Sequence, residues 1–430
     1  MRGRAKSYDE LRDFCETVPI VDCHDHSGTC GPKYEDPIEV VISGYFHSDI
    51  HSASSDEAIE TLQDKELSLE ERWPILERAW ARTRHTGYAQ VTRRVLKKFY
   101  GEEKLTLDAL HRMKDKLLDL SDEETFEAIL EEAGIVGRVL DIWPDVKKVL
   151  DGSLELTPRG YLAISLPAYH RICSYNDVQE RVAPLGTTVT CLDEYLEACW
   201  EIFEGHKAYG AVTFKDQSAY TRPLDYGNPT RQEAEAVFNW IIEDPRRSAA
   251  YPDGIKPLDD FLFHEFMRMA RDLELPVQVH TGHMAGIRND IVKTNAAGLT
   301  RVIELHRDVQ FDLFHANWPY GGELLFLGKN FPNVALDFCW ANIIDPVYCH
   351  NLFKQVLSAV PHGKVHGYGS DFGGSSDRAW AHAQIARDNI AIALSDMVEL
   401  DYLGLDEAKE VARSWLFGNA NDFFGLGLEA

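Results

Sequence analysis

No Cys-x-x-Cys pair occurs among the eight cysteines, which excludes zinc-ribbon and thioredoxin-type sites. Those cysteines (Cys15, Cys23, Cys30, Cys173, Cys191, Cys199, Cys339, Cys349) are scattered, and most read as small buried hydrophobes. No run of about 18 apolar residues is available to span a bilayer. The start, Met1 to Glu16, is basic, then amphipathic and acidic, and lacks the apolar centre of a signal peptide. A cytoplasmic location is the expectation. Positive charge is also scarce: 44 Lys+Arg stand against 70 Asp+Glu, a net charge of −26. Long-range repulsion then opposes nucleic acid and anionic membranes as partners. Neither a fixed-period repeat nor a flexible linker divides the chain. What is present is ordinary globular material, 44% hydrophobic and 27% charged. Its 430 residues suit one large α/β barrel with insertions, able to bury a core without staples.

Short apolar, β-branched runs alternate with helix-period stretches. Candidate strands are Ile20–His26, Gly137–Ile142, Tyr161–Leu166, Tyr209–Lys215, Pro276–His280, Val309–His315, Val334–Phe338 and Lys364–Ser370. Amphipathic segments such as Leu258–Leu273, Leu299–Arg307, Glu323–Asn330 and Asn351–Val360 separate the later ones. Strands buried on both faces between helices indicate a parallel sheet, and eight units suggest a closed (β/α)8 TIM barrel. An open doubly wound sheet shares much of this pattern. The first two strands are far apart. The intervening Gly31–Ala133 carries apolar residues at helical spacing and reads as a helical insertion, packed over the barrel's C-terminal mouth. Residues 1–430 are thus expected to form a single domain with an insertion at about 31–133. Pro167–Ala208 and the turn-rich Thr221–Ile255 also follow strand ends.

The sharpest chemical feature is Val21-Asp22-Cys23-His24-Asp25-His26 at the end of the first strand. Alternate strand residues share a face, so His24 and His26 can present two imidazoles to one metal ion. Strand five ends in His280-Thr281-Gly282, strand six in Phe314-His315 and strand eight in Ser370-Asp371. Each apolar run delivers one His or Asp where a barrel places its catalytic groups. A lone histidine there is usually a satisfied core residue. Four aligned strand ends are not.

This arrangement resembles the amidohydrolase superfamily over nearly the whole chain, and its amidohydrolase-2 branch in particular. Phe214-Lys215…Ala219-Tyr220, Gln278-Val279-His280-Thr281-Gly282, His315-Ala316-Asn317-Trp318-Pro319-Tyr320 and Ser370-Asp371 are similar to the amidohydrolase-like region of FluG-type and nodulin-related proteins. The helical insertion after His26, and His280 followed by Arg288-Asn289, resemble uronate isomerases instead. The resemblance implies that His24 and His26 are metal ligands, with Asp371 completing the site or acting as base. His280 is implied as a further ligand, and His315 as either a ligand of a second metal or a catalytic imidazole. The ion would be Zn²⁺ by ligand type, with Mn²⁺ or Fe²⁺ able to take its place. In binuclear members a carbamylated lysine at the strand-four end bridges two metals, and Lys215 stands at that position. An unmodified Lys215 and one metal per chain are favoured here.

Arg171, Arg222 and Arg288 follow strands three, four and five, and guanidinium groups at a barrel mouth suit bidentate recognition of a carboxylate. Trp318, Tyr320 and Trp340 could line the same pocket. The expected activity is that of a metal-dependent hydrolase in which activated water attacks an amide, lactone or ester of a small carboxylated substrate. Aldose–ketose isomerisation of a uronate and decarboxylation are the alternatives on this scaffold. Against isomerisation, Ser370-Asp371-Phe372-Gly373 lacks the Asp-Ser-Arg run typical of uronate isomerases. A homo-oligomer is expected.

Overall fold

The computed structural model describes residues 6–429; the basic start at residues 1–5 lies outside the described residues. Eight parallel strands follow one another around a barrel in chain order. They are β1 Ile20–Asp25, β2 Ile135–Leu140, β3 Gly160–Ser165, β4 Thr213–Asp216, β5 Val277–Val279, β6 Phe311–Leu313, β7 Val334–Asp337 and β8 Val365–His366. The seam between β8 and β1 is held by backbone hydrogen bonds just past the end of β8. Cys23 N–H donates to Tyr368 O (3.2 Å), Asp371 N–H to His24 O (2.8 Å) and His26 N–H to Phe372 O (3.0 Å). β1, β4, β5, β6 and β7 are buried along their whole length, as strands covered on both faces must be.

β4, β5, β6 and β8 are each at least two residues shorter than the sequence suggests, and at β4 and β8 the cause is visible. The apolar run from Tyr209 is the end of a helix, Leu192–Tyr209, closed by Gly210 at φ 118°. A left-handed glycine is the common stop for a helix, so β4 starts only at Thr213. β8 ends at His366 because the next amide, Gly367 N–H, donates to Trp415 O (2.7 Å) and not to the ladder. The turn-rich Thr221–Ile255 also contains a helix, Arg231–Ile242. Thr230 caps it, with Glu233 three residues on completing the reciprocal capping box.

The segment after β1 is helical from Pro37–Ile42 through Glu123–Glu132. Its Tyr45 and Asp56 reach loops at the C-terminal ends of the strands, while Gly87–Tyr100 and Glu123–Glu132 pack against the helix Ser376–Glu399. Its entry crosses the β8 loop closely: a Cβ on Gly31 would lie 1.9 Å from Gly374 O. Buried Arg378, in the long helix Ser376–Glu399, pins the insertion by donating to Val40 O (2.5 Å) and Ser43 Oγ (2.6 Å). Arg387 of the same helix donates to the carbonyls of Cys15, Ala133 and Val18 at 2.8–3.2 Å. These bonds fix both entrances to the sheet. No described helix is long and apolar enough to cross a membrane.

Candidate metal centre at the barrel mouth

Aspartates shape the strand ends. Asp216 accepts from Ser218 N–H (2.6 Å) and Asp337 from Cys339 N–H (2.6 Å), each turning the chain out of its strand by a local side-chain bond. Asp22 does more, accepting from His24 N–H (3.2 Å) and Ser370 N–H (2.8 Å), so one buried carboxylate aligns β1 with the Asp371 loop. Beyond β6, β7 and β8 the backbone is left-handed at His315, Ala316, Asn317, Trp340 and Asp371, with φ between 49° and 58°. Non-glycine residues adopt this region at a cost, and such strain concentrates at functional sites. Gly282, at φ 72°, lets the β5 loop touch the β6 loop: a Cβ there would sit 2.6 Å from Trp318 N.

Three of the strand-end histidines close directly on Asp371. Its Oδ1 lies 3.1 Å from His26 Nε2 and 3.4 Å from His24 Nε2, and its Oδ2 lies 3.8 Å from His315 Nε2. His280 joins through its Nδ1, 3.1 Å from His315 Nε2. All of these are buried except His26, which reaches the mouth.

The hydrogen bonds fix which ring nitrogen faces inward. His26 Nδ1 bonds Asp141 O (2.8 Å), His280 Nε2 bonds His283 O (2.8 Å) and His315 Nδ1 bonds Cys339 O (3.1 Å). A carbonyl only accepts, so each of these nitrogens carries a proton, and on His280 and His315 the other nitrogen presents a lone pair to the centre. Burial and the nearby Lys215 ammonium hold His24 and His280 well below the ordinary imidazole range, and burial with His280 does the same for His315. His280 Nδ1 and His315 Nε2 are therefore two acceptors facing each other at 3.1 Å, a contact that calls for a cation between or beside them. His26 differs: burial alone would lower it, but the bond to Asp371 raises it to about 9. Burial pushes the Asp371 carboxyl up, and the His26 bond with the His315 field outweighs it, leaving Asp371 below the usual carboxylate value.

These residues fit a divalent transition ion. Three imidazoles are oriented by backbone carbonyls, as metal-bound histidines commonly are. His24, His26 and Asp141 place ligand atoms within 4.8 Å of one another, as do His315, Cys339 and Asp371. His24 Nδ1 and Asp141 Oδ1 are buried without a hydrogen-bond partner. The nitrogen and carboxylate donors suit Zn²⁺, Mn²⁺ or Fe²⁺.

Asp141 escaped the sequence reading, although it ends the β2 run just as Asp371 follows β8. It lies 4.0 Å from His24 Nε2, and burial raises its carboxyl. Tyr45 was also missed; from the insertion its hydroxyl donates to Asp371 O. Its ring packs 4.3 Å from Trp340, which in turn lies 5.1 Å from His315. Nothing in the sequence local to Tyr45 marks it, because its role depends on how the insertion folds back.

Lys215, one residue before the end of β4, is buried, with its ammonium 3.8 Å from the Phe314 ring centroid. The three arginines do not gather there. Arg222 is buried and paired with Asp259 (2.5 Å) and Asp260 (2.6 Å). Arg171 stacks on Tyr251, its guanidinium 4.3 Å from the ring. Arg288 pairs with Asp56 of the insertion at 2.9 Å and lines a cleft of about 330 Å³ with Asp49, Tyr88, His283 and Asn289. Trp318 packs its ring 5.2 Å from His283, at the edge of the same region. A larger cleft of about 670 Å³ lies on the outer side of the insertion around Trp73, Trp80 and Arg93, and contains none of the cluster.

Residues 247–426 match the family described as Amidohydrolase. Protein FluG of Emericella nidulans is 24% identical over 226 residues, which are 50% of this chain and 26% of FluG. The match thus spans about a quarter of that relative. The fold is similar to the crystal structure of a uronate isomerase from Thermotoga maritima, with TM-score 0.78, 16% identity and 97% of each chain covered. A glucuronate isomerase from Caulobacter crescentus is similar at TM-score 0.69, 17% identity, and 99% and 95% coverage. A proposed metal-dependent hydrolase from Lactobacillus casei is similar at TM-score 0.68, 16% identity and 97% of each chain. The matched segment, the FluG relative and the eight-stranded barrel together make the chain similar to the amidohydrolase superfamily.

Proposed function

We propose that the protein is a metal-dependent hydrolase acting on an amide, lactone or ester of a small carboxylated compound. The observation that carries this reading is Asp371: a buried carboxylate, held below the usual carboxylate value, with the Nε2 atoms of His24 and His26 within 3.4 Å of one of its oxygens. His24, His26 and Asp371, with His280 as a further ligand, would hold one divalent ion, and Asp141 and His315 stand beside them. Such an ion supplies Lewis acidity and lowers the pKa of water toward about 7. Asp371 is placed to take a proton from an attacking water on its His26 side and return it to the leaving group. His315, neutral and fixed by Cys339 O, can polarise the substrate carbonyl from the opposite side. Tyr45, Trp340 and the insertion shield the centre from bulk water, while Lys215 contributes positive charge attractive to a carboxylate.

Uronate isomerisation is the second reading, favoured by the similarity to uronate isomerases along the whole chain, helical insertion included. The metal-loaded protein should be offered N-acyl amino acids, lactones and uronates, with products resolved by mass and by NMR. Cleavage products that appear with the wild type and not with Asp371→Asn support hydrolysis. A uronate converted to its ketose with no mass change would replace it.

A further inference from the structure

A second set of ligand-type side chains lies inside the barrel and shares no residue with the centre at the mouth. TIM-barrel interiors are normally filled by layers of bulky branched side chains. Here one layer is polar. Gln278 on β5 reaches across the interior, donating to Cys23 O on β1 (2.9 Å) and to Asp312 on β6 (3.2 Å). His366 on β8 lies 3.0 Å from Asp312, with β7 between their strands. Cys23, Asp312, Asp337, His366 and Gln278 are all essentially without solvent exposure.

Three of these groups converge. Cys23 Sγ, an Asp337 carboxylate oxygen and an imidazole nitrogen of His366 lie within 4.8 Å of one another. Asp337 Oδ2, 3.8 Å from His366 Nδ1, has no hydrogen-bond partner, and neither has His366 Nε2. Buried polar atoms are rarely left unpaired, because each costs the full desolvation of its group. Charge points the same way, since Asp312 and Asp337 are two buried carboxylates facing one imidazole. We propose that Cys23, Asp337 and His366 form a second divalent-cation site, of the zinc type by its thiolate, imidazole and carboxylate donors. The location gives such an ion a structural task. β8 is two residues long, and an ion bound by β1, β7 and β8 would staple the seam where the barrel closes.

The test uses the full chain, refolded or expressed with Co²⁺ or Zn²⁺ and dialysed. In the Co²⁺ protein we expect a near-ultraviolet thiolate-to-metal charge-transfer band. Because Cys339 lies near the mouth centre, the band must persist in Cys339→Ser. Its absence from the wild type, or its loss in Cys339→Ser, overturns the proposal. Zn²⁺ bound per chain should fall by one equivalent in Cys23→Ser relative to wild type, and an unchanged count in a folded variant also overturns it. If Cys23→Ser fails to fold, the spectra of wild type and Cys339→Ser decide the matter alone.

Discussion

At the scale of single residues, the centre is defined by which atoms are left over once each side chain's structural bonds are made. His26, His280 and His315 each give one nitrogen to a carbonyl and keep the other for the cluster. His24→Ala and His26→Ala together should therefore abolish metal binding at the mouth, read by elemental analysis. Full retention of metal by that double variant would remove the assignment. Asp371→Asn keeps the shape but neither the charge nor the basicity, and activity should drop by at least about two orders of magnitude, the usual scale for an acid–base group. Near-normal turnover would exclude the role. Lys215 is the third test. An ammonium whose charge acts on His24, His280 and His315 discourages a second cation and attracts a substrate carboxylate. Lys215→Met should leave metal content at the mouth unchanged and act mainly on KM, since a contact to a non-reacting group contributes alike to ground and transition states. Two metals at the mouth, with metal content and activity both dependent on bicarbonate, would instead indicate a carbamylated bridge.

At the scale of elements, the strand ends are held by buried ionic networks that the sequence shows only in fragments. His170, just past β3, bonds Asp259 and lies 3.3 Å from Asp216 at the end of β4, while Asp259 also takes the Arg222 guanidinium. Asp216 in turn gives its carbonyl to His280 N–H (2.8 Å), so this network supports one side of the metal centre. Arg222 read alone at a strand end suggests a substrate contact; its partners Asp259 and Asp260 come from a helix nearly forty residues on, which spacing does not reveal. Asp259→Asn would leave Arg222 with Asp260 alone and His170 with Asp216 alone, and a loss toward the lower end of the roughly 3–5 kcal/mol typical of a broken buried pair is expected in urea unfolding. A loss under about 1 kcal/mol would show that the network carries little. The strand-end histidines and Asp371 were legible because a barrel turns short apolar runs into a ring with their ends together. Asp141 stands inside the Gly137–Ile142 run and follows by the same logic, yet was not read as a ligand; Arg138 of that run is buried against Asp25 and Thr157. The start of β4 and the end of β8 were not legible. One is decided by where a helix finds its glycine stop and the other by a hydrogen bond to Trp415, far along the chain. Tyr45 and the polar layer around His366 depend wholly on tertiary placement.

At the scale of the whole molecule, opposed sets of buried titratable groups determine how stability follows pH. His306 and His382 are pulled down by burial, to about 4 and about 3. Their folded values lie below the unfolded imidazole value of about 6.5, so the unfolded chain gains protons first as pH falls. Stability is then lost progressively below about pH 6.5. His170 behaves in the opposite way. Burial would lower it, but the Asp259 charge and the bonds to Asp216 and Asp259 raise it to about 9. Its contribution is complete below about pH 6.5 and is lost as pH climbs through 9. Raised buried carboxylates such as Asp141 act in the same direction, and the net charge of −26 adds growing self-repulsion on the alkaline side. Tm should accordingly peak near neutral pH, at about 6.5–7, and fall on both sides, measured by calorimetry at constant ionic strength. His170→Gln should lower the peak and flatten the alkaline limb, because the group that releases a proton there is gone. His382→Gln, whose amide does not titrate, should flatten the acid limb instead. An alkaline limb of unchanged slope in His170→Gln would show that the pairing with Asp216 and Asp259 does not govern stability above neutrality.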